Sequence, residues 1–479
     1  MKRVLSSIFT ALHGLETRSF LLFFLLCRYR FRHFTGTEIS LYQAKRFRAQ
    51  TRYASGHSRF YRNLYRGFDL RNAAKLSRFF RNLYRDLDLS IAANLPTVNK
   101  KIMMENLTDY NTVGLTRKEI IDFCLEVEKS RDFTRRLKGL NVGMSSGTSG
   151  NKGVEILTRR EEMYMKAALF ARFHFPAKEK LNLAFILRVS SPAFNLNILG
   201  HRMTYISQLG STEEVNDQLQ RLQPNVISAP PSMLKIIARE VEAGRLSISP
   251  KRVVSYAEIL YPDVKKYLSD VLHCPVHEIY KCTEAPMAIT CKYGNLHINE
   301  DLVMVETFNN DGSETSSGQP CNRLIVTDLH KKSQPIIRYE LNDIITISSE
   351  KCRCGSNFRV IQSIQGRADD LFWARNTESN KWQPIFPDYI SRAIISSSEE
   401  IDEYQATQDS PEHVLVRIKL KDDANPEEFD RGVIAESVKD VFSKYKCNLP
   451  EVSVEFGSPE SGKNSGKLVR IRRRFEVNE

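Results

Sequence analysis

The sequence has no apolar run long enough to cross a bilayer: its longest, Phe20 to Cys27, holds eight residues, whereas a spanning helix needs roughly 20. No transmembrane segment is expected. A secretory leader is not expected either, because Arg28, Arg30 and Arg32 follow that run and no small-residue cleavage site is evident. The nine cysteines are odd in number and scattered over a long chain, which argues against a disulfide framework and fits a reducing cytoplasm. Long low-complexity tracts are also missing. With 41% hydrophobic and 27% charged residues in a chain of 479, wholesale disorder is excluded, and the length suits a large domain plus a small one.

Acidic residues are scarce near the start. Residues 1–71 hold fourteen Lys or Arg against Glu16, Glu38 and Asp69, a charge of +11 out of +13 for the whole chain. Basic residues interleaved with Phe, Tyr and Leu suit an acidic carrier protein, a membrane surface or nucleic acid, and equally the solvated faces of amphipathic helices. Ile39, Tyr42, Phe47 and Tyr53 recur at helical spacing, so a helix is expected over 38–55. Residues 58–76 and 77–95 then repeat with thirteen of nineteen positions identical. Two copies are too few for a solenoid, and a local duplication in a helical region is the simpler reading.

From about residue 139 short apolar stretches alternate with amphipathic helical patterns. Leu183–Leu187, Val226–Ser228, Val253–Tyr256, Val276–Tyr280 and Leu324–Thr327 read as strands, and Ser232–Ala243 and Pro262–Val271 as helices. This is the texture of an α/β fold with buried parallel strands. After Gly366 the pattern resets: Asp402–Thr407 and His413–Lys419 read as strands and Pro426–Lys444 as a helix. The expected organisation is a basic helical region over 1–95, a large multi-layer α/β domain over 96–366 and a small mobile α+β lid over 367–479.

The sharpest chemical signal is the run Ser145, Ser146, Gly147, Thr148, Ser149, Gly150, Asn151, Lys152, Gly153. Its glycines let backbone N–H groups approach a polyanion, its hydroxyls add donors and Lys152 adds a cation, as a phosphate-binding loop requires. The spacing differs from the G-x-x-x-x-G-K-[ST] loop. A Ser/Gly linker is the competing reading, but strand-like Leu140–Met144 and Val154–Thr158 enclose the run and favour a hairpin loop. A second constellation comprises Cys291 and His297, six apart, and Cys352 with Cys354 some 55 residues later, followed by Gly355. Three thiolates and one imidazole match a closed tetrahedral zinc site of structural type; four unconnected core groups are the alternative.

With these residues in place the chain resembles the adenylate-forming superfamily, and in particular its phenylacetate-CoA ligase branch with the coenzyme F390 synthetase-like relatives. Tyr256, Ala257 and Glu258 look like the segment lining the adenine and acyl pocket. Tyr280, Lys281, Cys282, Thr283 and Glu284 look like the Tyr-x-x-Thr-Glu motif, and Arg338, Tyr339 and Asp343 like the ribose-binding motif. Gly366, Arg367, Ala368, Asp369 and Asp370 look like the hinge, and Gly466, Lys467 and Arg470 like the terminal Gly-Lys. The resemblance implies that residues 145–152 wrap the ATP phosphates, Thr283 touches the α-phosphate and Glu284 holds Mg²⁺. It further implies that Asp343 binds the ribose, Arg367 reaches the nucleotide, Asp369 is the pivot, and Lys467 bridges the carboxylate and the α-phosphate.

The activity it implies is ATP-dependent conversion of an aromatic or medium-chain carboxylic acid to an acyl adenylate with pyrophosphate release. The acyl group would then pass to coenzyme A or to the phosphopantetheine arm of an acidic acyl carrier protein. Transfer to an amine or hydroxyl, or a non-catalytic relative binding nucleic acid or membrane through residues 1–71, are the alternatives; a homodimer is compatible with the pattern. The chemistry itself calls for such residues, because a carboxylate attacking phosphorus gathers negative charge that cations and backbone donors must neutralise. Lys281 and Cys282 depart from the small residues usual in that motif. Residues 377–383 look like an insertion after the hinge.

Overall fold

The computed structural model describes residues 15–68, 95–144, 153–172, 179–187, 190, 196–198, 200–208, 210–258, 260, 262–309, 311–341, 343–365, 372–385, 387–421, 424–460 and 471–475. Two compact units divide the chain: Met1–Gly143, Val154–Gln208 and Val215–Gly366 form one, and Met144–Gly153, Leu209–Glu214 and Arg367–Glu479 the other.

Three helices open the first unit, α1 (Leu15–His33), α2 (Gly36–His57) and α3 (Arg59–Leu64). Thr35 and Glu38 cap α2 reciprocally, each side chain accepting from the other's backbone N–H, which satisfies two amides the helix itself leaves unbonded. That box sets the start of α2 two residues before the expected one. Helices α4 (Lys100–Glu105), α5 (Leu107–Tyr110) and α6 (Arg117–Ser130) follow, then β1 (Asn141–Met144) and β2 (Val154–Leu157), which form a two-stranded sheet. Helix α7 (Arg159–Arg172) comes next.

A ten-stranded sheet then assembles. Its strands are β3 (Asn182–Leu187), β4 (Leu196–Ile198), β5 (His201–Ser207), β6 (Val226–Ala229), β7 (Arg252–Tyr256), β8 (Val276–Tyr280), β9 (Ala288–Thr290) and β10 (Leu296–Ile298). After β11 (Val303–Phe308), β12 (Arg323–Asp328) and β13 (Tyr339–Leu341), which make a separate three-stranded sheet, β14 (Ile344–Ile347) and β15 (Val360–Gln365) complete it in the order β14-β15-β10-β9-β8-β7-β6-β3-β5-β4. Strands β5, β3, β6, β7 and β8 run parallel. Helices α8 (Thr212–Leu222), α9 (Pro231–Glu242) and α10 (Pro262–Leu272) connect them. All four residues of β6 are buried, as a strand covered on both faces requires.

The main core joins the opening helices to the three-stranded sheet: Phe47, Ala54 and Tyr61 pack in one cluster with Val303, Val305, Leu324, Val326 and Tyr339. Buried hydroxyls there are satisfied, Tyr61 Oη lying 2.6 Å from Tyr110 Oη and donating to Pro335 O at 3.1 Å. The last residue of α7, Arg172, pairs with Asp301 with both side chains almost fully buried. Its guanidinium sits 5.7 Å from the Phe31 ring and 5.9 Å from the Phe358 ring.

In the second unit β16 (Phe372–Arg375) and β17 (Trp382–Ile385) form a hairpin, so part of the stretch taken as an insertion is strand. Asn376 closes its tip, its side-chain oxygen accepting from the N–H groups of Glu378 and Ser379. Helix α11 (Pro387–Ser397) precedes β18 (Ile401–Ser410) and β19 (His413–Leu420); helix α12 (Arg431–Lys444) precedes β20 (Glu451–Phe456) and β21 (Ile471–Arg473). The four strands order as β20-β19-β18-β21. In β19, Val414, Val416 and Ile418 are buried in alternation, the mark of a sheet with one covered face. Helix α12 starts at Arg431 rather than at the expected Pro426 because the Asp430 side chain caps it, accepting from Gly432 N–H at 2.8 Å.

Candidate functional site

The carboxyl ends of adjacent parallel strands collect the predicted motifs. Tyr256 ends β7 and Tyr280 ends β8, the place where open α/β sheets bind ligands. Ala257 follows with φ +73°, a left-handed conformation that costs a non-glycine residue energy; it is exposed and Glu258 half-buried.

Three contacts draw remote segments to this edge. Tyr280 donates its hydroxyl to Asp343 Oδ2 at 2.6 Å. Tyr339 donates to Glu284 Oε1 at 2.8 Å, and burial first, then the Glu284 charge, raises the tyrosine's pKa so that it remains a donor. Lys281 donates to Glu155 at 3.1 Å. Burial alone would lower the lysine's pKa, but Glu155, with Tyr256 and others, outweighs it and the pKa is raised. The departure at position 281 thus has a local reason: Glu155, two residues beyond Gly153, receives its ammonium.

Tyr280, Glu284 and Asp343 are therefore brought together with their partners, and Thr283 is half-buried beside Glu284. Glu284 is 3% exposed, and Lys100 Nζ stands 3.9 Å from its Oε1. No hydrogen bond to its Oε2 is present among the described residues, leaving one oxygen able to hold a cation. Arg338 is structural: at φ +47° it donates to Leu95 O at 2.6 Å and lies 3.4 Å from Glu306. Glu155, Lys100 and the Tyr339 hydroxyl escaped the sequence reading. The one available signal was an acid directly after the loop facing an unusual lysine in the Tyr-x-x-Thr-Glu motif. Ser145, Ser146, Gly147, Thr148, Ser149, Gly150, Lys152, Arg367, Asp369 and Lys467 lie outside the described residues, as do residues 69–94 of the duplication.

The four metal-ligand candidates do meet. One ligand atom each from Cys291, His297, Cys352 and Cys354 falls within 4.8 Å of the others. Cys291 Sγ is 3.7 Å from Cys352 Sγ, and His297 Nε2 is 3.4 Å from Cys354 Sγ. His297 Nδ1–H donates to Phe358 O at 2.8 Å, which fixes the tautomer and turns the Nε2 lone pair toward the thiols. Tyr293, Cys354 and Ser356 direct backbone N–H groups at the sulfurs, and Asn295 Nδ2 reaches Cys352 Sγ at 3.0 Å. Donors converging on sulfur suit thiolates, and the set fits a tetrahedral metal ion. Phe31 of α1 stacks edge-on against His297 with centroids 5.3 Å apart.

Several basic residues of the opening segment are engaged inside the first unit. Arg30 donates to Tyr164 Oη at 3.0 Å, and Arg46 donates to Leu329 O at 2.7 Å and to His330 Nδ1 at 3.1 Å. His330 Nε2–H in turn donates to Asp301 O at 2.8 Å. The imidazole is neutral in this arrangement, since a second proton would face the Arg46 guanidinium, and burial with Arg46 lowers its pKa from 6.5 to about 3. The unfolded chain therefore takes up a proton that the folded chain refuses. Stability from this group is complete above pH 6.5 and lost as pH falls toward about 3, about 2 kcal/mol by pH 5. His330→Gln should flatten the dependence of urea midpoint on pH across that window. An unchanged slope would count against the neutral imidazole.

No family model matches the sequence. Over 205 residues the chain is 25% identical to phenylacetate-coenzyme A ligase of Thermus thermophilus, covering 41% of this chain and 44% of that protein. Over 335 residues it is 22% identical to protein CapK of Staphylococcus aureus, covering 67% and 65%. The chain thus spans less than half of the first relative's length. Among solved structures, a 2-hydroxyisobutyryl-CoA ligase in complex with 2-HIB-AMP and CoA superposes with a TM-score of 0.59 at 16% identity, over 93% of this chain and 91% of that one. The fold is that of the adenylate-forming enzymes. The chain is thus similar in sequence to phenylacetate-coenzyme A ligases and similar in fold to a 2-hydroxyisobutyryl-CoA ligase.

Proposed function

We propose that this protein activates a carboxylic acid with ATP, releases pyrophosphate and passes the acyl group to a thiol, with coenzyme A as the acceptor and an aromatic or medium-chain acid as the substrate. The observation that carries the reading is the convergence, at the carboxyl ends of β7 and β8, of Tyr280 with Asp343 and of Tyr339 with Glu284. Asp343, oriented by the Tyr280 hydroxyl, presents a carboxylate to the ribose. Thr283 offers a hydroxyl to the α-phosphate. Glu284 would hold Mg²⁺ through the oxygen that Tyr339 leaves open, and the ion would neutralise phosphate charge while pyrophosphate departs. Residues 145–152 supply backbone and hydroxyl donors to the phosphates, Arg367 contacts the nucleotide, and Asp369 is the pivot of the change between half-reactions. We assign Cys291, His297, Cys352 and Cys354 to a structural Zn²⁺ whose four positions are filled by protein, leaving none open for chemistry.

The direct test is acid-dependent pyrophosphate release over a panel of carboxylic acids, followed by product mass with coenzyme A. Absence of release with every acid would sink the reading. Lys467→Ala should abolish adenylation and largely spare thiolation of a supplied acyl adenylate; equal loss of both steps argues against this division of labour.

A further inference from the structure

We propose that the first unit also carries a binding site for an amphipathic organic monoanion, in a cavity of about 770 Å³ between α1, α2, α7 and residues 328–333. This size lies within the range of small-molecule sites, about 300–1,000 Å³. The cavity is aromatic, with Phe23, Tyr42, Tyr53 and Tyr164 in its wall, and Phe23 and Tyr164 meet edge to face at 4.8 Å. Such a lining takes an apolar body.

Its charge is unbalanced in favour of an anion. Arg30, Lys45, Arg46, Arg160, Lys331 and Lys332 line it against Glu155, Glu161, Asp328 and Glu284. Each carboxylate is engaged elsewhere. Glu155 has Lys281, and Glu161 accepts from the N–H groups of Thr158, Lys332 and Ser333. Asp328 accepts from His330 and Lys331 N–H, and Glu284 from Tyr339. By contrast Lys45, Arg160, Lys331 and Lys332 enter no ion pair among the described residues. Lys332 stands 4.6 Å over the Tyr53 ring and Arg160 5.8 Å over Phe23, so positive charge already rests on the rings that would hold the ligand.

Lys331 decides the matter. It is 4% exposed and its Nζ has no hydrogen-bond partner. The Asp328 carboxylate lies within electrostatic reach of this ammonium but gives it no hydrogen bond, and a further counter-charge entering the adjoining cavity stabilises it through a wall of low dielectric. Exposed Lys332 and Arg160 meet the anionic head first, while Lys331 acts from behind. The Glu284 carboxylate in the same lining disfavours a second negative charge, which selects a monoanion over a polyphosphate.

The site needs no nucleotide, and its test uses none. Calorimetric titration of the full chain with phenylacetate and octanoate, without ATP or Mg²⁺, should show binding at least about tenfold tighter than that of uncharged 2-phenylethanol. The double variant Lys331→Met/Lys332→Gln should lose at least about tenfold in affinity for the acids. Lys331→Met alone should show a smaller ligand-induced rise in melting temperature than the parent. Equal affinity for acid and alcohol, undiminished binding by the double variant, or no binding of either acid overturns the proposal. Acid-dependent pyrophosphate release by the parent is read on the same preparation, so release without nucleotide-free binding of either acid overturns this site alone, and binding without release overturns the ligase reading alone.

Discussion

Glu284→Gln is expected to lower acid-dependent pyrophosphate release by about 10²–10³-fold, the loss typical of removing one preorganised electrostatic group from an active site. The substitution keeps volume and keeps an oxygen for the Tyr339 hydroxyl, whose 2.8 Å bond to Glu284 is buried. Folding should therefore be nearly untouched, with a melting temperature within a few degrees of the parent. What disappears is the negative charge beside the free Oε2, the feature a hard divalent cation seeks. A higher Mg²⁺ requirement should accompany the loss of rate, which separates a cation-holding role from a general disturbance. Tyr339→Phe should act in the same direction but more weakly, since it removes an orienting bond and leaves the carboxylate. Retention of near-parental rate by Glu284→Gln would remove Glu284 from the reaction.

Cys352→Ser is expected to abolish stoichiometric zinc and to lower the melting temperature by roughly 10 °C. A structural zinc supplies about 10–16 kcal/mol to small peptides that cannot fold without it, but here the ligand segments are already joined. Leu296 and His297 pair with Ile361 and Val360 across the β10–β15 ladder. The metal would therefore add only several kcal/mol to an existing core, and 1 kcal/mol moves the midpoint by about 2–4 °C in domains of about 150–250 residues and by less in a larger unit. Chelation of the parent should reproduce the drop, and chelation of the variant should add nothing. Metal analysis unchanged by the substitution would dismiss the zinc site.

How much of this was legible beforehand depended on the range of the forces involved. The parallel strands were visible because a strand buried on both faces, such as Val226–Ala229, reads as an apolar run between turns. The α12 start was misplaced because Pro426 suggested an opening and only the Asp430 cap decides it. The β16–β17 hairpin was missed because a tip rich in Asn, Thr, Glu and Ser has the composition of an insertion. The metal cluster could be suspected from ligand type and spacing alone. Pairs such as Lys281 with Glu155, 126 residues apart, could not, since they depend on which ends of distant elements the sheet order places side by side. The charge of the first 71 residues was compatible with partners and equally with solvated helix faces, whereas Arg30 and Arg46 bond within the unit.

Helix α2 clasps carbonyls made much later. Gln43 donates to Glu300 O at 2.8 Å, Arg46 to Leu329 O, and Gln50 to Lys331 O. On a ribosome, the earliest helices must remain undocked until nearly 300 further residues emerge, on the order of tens of seconds at ordinary rates of synthesis. Contacts so distant in sequence make for slow, late closure, and during that interval the apolar side of α2 depends on chaperones or on its own basic residues to stay dispersed.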